Sequence, residues 1–178
     1  KQKKFGKVYG DQSVKDKIYA VLKTNVLQAA LTRRAEQYKL AVTTAQDKVD
    51  DDGLTANRLK MIYAEATKDW ASYAQKAIYH FDNYLVTNPE ELNQAAWNFH
   101  QQIDDKEGLQ KAIAWSKQSI ALENKYYNNR VLALLYLKTG DMENARKAGF
   151  KTLKIAELKG LDPTEMEAFL AKLEGEDY

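Results

Sequence analysis

The chain has no cysteine, two prolines, eight glycines and two histidines among its 178 residues. Without cysteine it can form no disulfide, offers no thiolate nucleophile and cannot hold a cysteine-ligated zinc or iron–sulfur cluster. The scarcity of proline and glycine removes the punctuation on which strand-and-turn folds depend. Charge of one sign is also missing: 27 Lys and Arg face 25 Asp and Glu, a net +2. Such a balance gives no broad field for nucleic acid or an anionic bilayer. No apolar stretch approaches the roughly 18 to 20 residues of a membrane-spanning helix. Neither a nucleic-acid partner nor membrane insertion is therefore expected. The opening Lys1-Gln2-Lys3-Lys4-Phe5 has no initiator Met and no signal-peptide apolar segment, and it reads as a fragment or a processed product.

Catalytic patterns are missing as well. His80 and His100 fall in different predicted helices, with no HExxH or comparable spacing around either. His80 borders an apolar stripe and is expected to be partly exposed. No glycine-rich phosphate loop, GxSxG elbow or GxGxxG occurs. The pairs Glu90-Glu91 and Asp104-Asp105 stand at helix starts, where the helix dipole already favours acids. We expect no enzyme activity, catalytic residue, cofactor or metal.

What remains is 44% hydrophobic and 29% charged residues, ample for a packed interior, arranged at helical spacing. A lysine-rich tether, 1–12, leads to a helix opening at Ser13 in a capping box with Asp16 and carrying Val14, Ile18, Val21 and Leu22. A second helix, about 33–48, carries Tyr38, Val42, Ala45 and Val49. Asp50-Asp51-Asp52-Gly53 stops it; consecutive carboxylates do not match the alternating ligands of an EF-hand loop. A third, about 55–67, is expected to bury Leu59, Ile62, Tyr63 and Ala66. The clearest stripe follows: Trp70, Tyr73, Ala74, Ala77, Ile78, Phe81, Tyr84, Leu85. Asn88-Pro89-Glu90-Glu91 is a cap, a proline at the first helical position and acids in the first turn, ahead of Leu92, Ala95, Ala96 and Phe99. The sixth helix, about 107–123, carries Leu109, Ala112, Ile113, Ser116 and Ile120. The seventh, with Val131, Leu132, Leu134, Leu135 and Tyr136, ends at Gly140. Asp141 caps the eighth, and Asp162-Pro163 precedes a ninth with Met166, Phe169, Leu170 and Leu173.

Ala77, Ala112 and Ala145 open the second helix of successive pairs at intervals of 35 and 33 residues. Around the last of them Leu132-Ala133, Tyr136, Gly140 and Ala145 follow a large–small–aromatic–glycine–alanine order. With Leu92, Ala95-Ala96 and Phe99, and with Leu59, Ile62, Ala66, Phe81 and Pro89, this pattern resembles tetratricopeptide repeats. Gly149 departs from it, since a large apolar residue is usual there. The resemblance implies an all-α fold: a right-handed superhelix of antiparallel helix pairs, about nine helices in one domain, 13–178. Its repeat-like units would span about 55–89, 90–124 and 126–160, with a capping helix at about 163–174. A narrower likeness rests on Phe5-Gly6-Lys7-Val8-Tyr9-Gly10 with Val14 and Ile18, Leu92-Asn93-Gln94-Ala95-Ala96-Trp97-Asn98-Phe99, and Lys125-Tyr126-Tyr127-Asn128. These resemble the helical region that follows the thioredoxin-fold domain in some bacterial thioredoxin-like proteins. That likeness implies an exported, for example periplasmic, protein whose redox cysteines lie upstream.

In tetratricopeptide stacks the first helix of each pair lines a concave groove. The resemblance therefore puts Asn93, Trp97, His100 and Gln101, with Tyr127, Arg130, Leu134 and Lys138, in such a groove. Arg130 and Lys138 would pair a carboxylate, and Trp97 and Tyr127 would be apolar anchors. The expected function is a non-catalytic protein-interaction or scaffolding module for a protein or peptide, or for its own upstream domain. The alternative is a small-molecule or glycan-binding helical domain using the aromatics.

Overall fold

The computed structural model describes residues 12–49 and 52–175; Phe5–Gly10, most of the expected tether, and Asp50-Asp51 lie outside them. Among the described residues there are nine α-helices and no strand, and no helix is long and apolar enough to cross a membrane. The chain divides into two compact units, 1–84 and 85–178.

The first unit holds α1 (Gln12–Thr32), α2 (Ala35–Lys48), α3 (Leu54–Ala66) and α4 (Trp70–Asn83). The α1 helix packs on α2 and α3, α2 on α3, and α3 on α4. Leu22, Val26, Ala41, Val42, Ala45, Ala56 and Leu59 form a core flanked by Ile18, Tyr38, Ile62 and Tyr63. Tyr38 stacks on Tyr63 at 3.9 Å and 13°. Two expected faces are rotated. Val21 is exposed, whereas Val26 and Ala29 are buried, because adjacent residues 21 and 22 diverge by about 100° and Leu22 takes the inward direction. In α3 Ala66 is exposed and Met61 and Ala64 are buried instead, because α1, α2 and α4 all claim part of its surface.

His80 corrects the expectation of partial exposure: it is fully buried. It continues the buried α4 line Tyr73, Ala77 and meets the rings of Phe81 (5.0 Å) and Tyr84 (5.4 Å). Leu85, the last residue of the expected stripe, falls beyond the end of α4 and is exposed.

The second unit holds α5 (Pro89–Gln102), α6 (Lys106–Leu122), α7 (Tyr126–Lys138), α8 (Met142–Lys159) and α9 (Thr164–Gly175). Their starts follow the capping chemistry of the sequence. The Asn88 side chain accepts from the N–H groups of Glu90 and Glu91, Asp105 from Gly108, Asp141 from Asn144 and Asp162 from Thr164. Each satisfies a donor that the helix leaves unpaired, a contribution of about 1 kcal/mol. Gly140 takes φ +77°, the left-handed turn that closes α7.

Within this unit α5 packs on α6 and α7, α6 on α7, α7 on α8, and α8 on α9. Leu92, Ala95, Ala96, Phe99, Leu109, Ala112 and Ile113 are buried as the spacing predicts, and Trp115 joins them, edge-on to Phe99 at 4.9 Å. Ala133, Ala145, Ala148, Met166, Phe169, Leu170 and Leu173 make a second core. The α6–α7 seam is polar. Asn128, fully buried, donates to Ser119 Oγ (3.2 Å) and the Glu123 carbonyl (2.5 Å) and accepts from the Lys125 N–H (3.0 Å). Ser116 Oγ donates to the Asn128 carbonyl (3.2 Å).

Candidate functional site

Two of the expected groove helices, α5 and α7, lie side by side, and four of the eight named residues come together between them. Trp97 and His100 are one turn apart on α5, which puts them on one face; their rings stack at 5.3 Å and 23°. Arg130, in the first turns of α7, lays its guanidinium over the Trp97 ring at 5.0 Å. Lys138, the last residue of α7, donates through Nζ to the His100 carbonyl at 2.8 Å. That carbonyl is among the last four of α5, which lack a helical partner, so the ammonium caps α5 where the dipole favours a cation.

Neither cation is open. Arg130 makes a two-pronged contact with Glu165 in the first turn of α9, Nε to Oε2 at 2.7 Å and Nη2 to Oε1 at 2.5 Å. Lys138 meets Asp104 Oδ1 at 2.7 Å. The carboxylates are the accessible halves of these pairs: side-chain exposure is 52% for Glu165 against 24% for Arg130, and 94% for Asp104 against 23% for Lys138. Both acids are legible in the sequence only as helix-start residues. That they neutralise this face follows from where α9 and the α5–α6 turn fall in space.

The other named residues are distributed around this cluster. Gln101 is exposed and its amide lies 2.9 Å from His100 Nδ1. Tyr127 is half-buried, and the ammonium of Lys125, itself paired with Glu123 at 2.6 Å, lies 5.7 Å from its ring centre. Leu134 packs against the α7–α9 core. Asn93 is half-buried and its Oδ1 is shielded from solvent without a hydrogen-bond partner. Burial, reinforced by the positive charges of Lys138 and Arg130, holds the His100 imidazole below its ordinary range. The face thus offers stacked rings, an imidazole held toward its neutral form and two ion pairs whose acid halves are the more exposed. Among the described residues no three of His, Asp and Glu gather as metal ligands would.

No family model matches the chain, and no curated protein or solved structure is significantly similar to it.

Proposed function

We propose that the chain is a non-catalytic protein-interaction or scaffolding module built of tetratricopeptide-like helix pairs, and that the α5–α7 face receives an extended segment or helix of a protein partner. The observation that carries this reading is the ring-and-cation surface formed by Trp97, His100, Arg130 and Lys138 across two neighbouring helices. Aromatic and arginine side chains, half-buried and held in place, are the residue types that dominate binding energy at protein interfaces.

The neighbour relations support the repeat reading. In each unit the first helix of one pair lies on the first of the next, α1 on α3 and α5 on α7, and the intervening helix, α2 or α6, packs on both. A right-handed superhelix would repeat that relation from pair to pair. Ala77, Ala112 and Ala145, on the second helices, are all fully buried, which supports a common role as close-approach positions. An acidic group of the partner would exchange with Glu165 or Asp104 and not meet a bare cation. The resemblance of residues 92–99 and 125–128 to thioredoxin-like proteins underlies a further reading, that the module accompanies a redox domain of an exported protein; a CxxC-bearing thioredoxin domain in the same gene product is the observation that tests it.

The groove reading is tested by selecting peptides on the purified chain and measuring their affinity by fluorescence anisotropy. Trp97→Ala and Arg130→Ala should each weaken binding about tenfold or more. Unchanged affinity in both variants, with unchanged helical content, removes the groove from consideration.

A further inference from the structure

A second surface lies in the first unit, where α1 and α2, packed together and joined by two residues, leave a groove of about 680 Å³ between them. Leu22 and Ala41, both buried, belong to its floor, and Val21 and Leu40 line it while 61% and 68% exposed. Large aliphatic side chains held open beside an apolar floor are a surface that a partner covers with a gain of about 25 cal/mol per Å². Among them stand the carboxamides of Asn25, Gln28 and Gln37. Of the described residues that line the groove, only Arg34 is charged.

That chemistry constrains what can sit there. A carboxamide both donates and accepts, so it pairs with another carboxamide, and a face made of aliphatic groups and carboxamides is complementary to itself. An isologous contact requires this property, because the same patch serves both partners. The run of the helices places the symmetry axis. Since α1 and α2 point in opposite directions, Thr32 and Arg34 mark the turn end of the groove, and Val21 and Thr44 its open end. A two-fold axis across the groove lays the turn end of one copy on the open end of the other, which keeps the two Arg34 guanidinium groups apart. Leu40 comes six positions after Arg34 and four before Thr44, about 9 Å and about 6 Å at helical rise, so it stands near the axis.

We infer that the α1–α2 groove is a self-association surface, on which a second copy of this chain seats antiparallel with Leu40 facing its counterpart. The size of the face sets the strength of the contact. A lined length of about 16 Å across two helices of about 10 Å each gives roughly 300 Å², less than half of the about 800 Å² per partner of a standard interface, so the dimer is weak, with a Kd of about 100 μM or more. Neither α5 nor α7 takes part, and the inference does not depend on the protein-binding face.

The test is sedimentation equilibrium of the full chain between about 10 μM and about 1 mM. The average mass should rise with concentration from 20.4 kDa toward twice that value. Leu40→Lys sets like charges against each other at the axis and should hold the mass at that of the monomer, with helical content unchanged because the side chain is exposed. Leu158→Lys, a similarly exposed position in the second unit, should associate as the parent does. Because the chain has no cysteine, a single Leu40→Cys reports the axis directly: on oxidation it should form a disulfide-linked dimer about tenfold faster than Leu158→Cys, since only residues at the axis bring their sulfurs together. The inference is overturned by a monomer throughout the concentration range, which leaves the groove to a different occupant, by association that survives Leu40→Lys, or by cross-linking no faster at Leu40→Cys than at Leu158→Cys.

Discussion

His100 shows how much one side chain reports of its surroundings. Burial first, and then Lys138 and Arg130, depress its pKa below 6.5 in the fold, so the folded chain takes up this proton less readily than the unfolded chain. The contribution of the neutral imidazole to stability is therefore complete above about pH 6.5 and is lost as pH falls toward the depressed folded value. An NMR titration should give His100 a midpoint below that of an unfolded-chain histidine. The urea midpoint should fall between about pH 7.5 and about pH 5.5, and less so in His100→Gln. Asn128 makes a second residue-scale case. Replacing it with Ala leaves the part-buried Glu123 carbonyl and Lys125 N–H without their side-chain partner, and should lower unfolding free energy by about 1–3 kcal/mol in urea titrations. Neither role was legible in the sequence. The bonds to Lys125 and Glu123 are local to the turn before α7, but Ser116 and Ser119 become partners of Asn128 only when α6 packs beside it.

At the scale of the helix, the sequence spoke plainly about ends and less so about faces. Asn88-Pro89, Asp105, Asp141, Gly140 and Asp162 mark boundaries because capping joins residues within four positions of one another. Faces depend on neighbours that lie far away in sequence. Gly149 is the sharpest example: against the repeat pattern it looks like a weak residue, yet a Cβ there would come within 2.8 Å of Leu170 Cδ2 and 2.9 Å of Phe169 Cε1. The glycine lets α9 press onto α8. Gly149→Val should push α9 away and cost about 1–3 kcal/mol by overpacking, measured as a lower urea midpoint together with altered resonances of Phe169 and Leu170. Val21 and Ala66 fail as predicted core residues for the same reason, since two or three packed helices, not one moment, select the buried sector.

For the whole molecule, the helices group into two units, and the chain divides between Tyr84 and Leu85. Composition gives no hint of it: Tyr84-Leu85-Val86-Thr87 contains neither glycine nor proline nor a run of charge. The second unit has its own cores and its own polar seam. A chain comprising 85–178 alone should be helical by circular dichroism and unfold in one cooperative urea transition. A broad, non-cooperative loss of helicity would show that these contacts do not suffice. The sequence by itself determined the helices, their order, most of their caps and many of the buried apolar positions, Ala77, Ala112 and Ala145 among them, because those features depend on local spacing and backbone chemistry. Only the tertiary structure decided that Glu165 and Asp104 neutralise the two cations of the α5–α7 face, that His80 is buried, and that Val21 and Leu40 share a groove. Electrostatic pairing and burial act through space over a few ångströms, between residues as far apart as 35 positions in the chain, and no local pattern encodes that proximity.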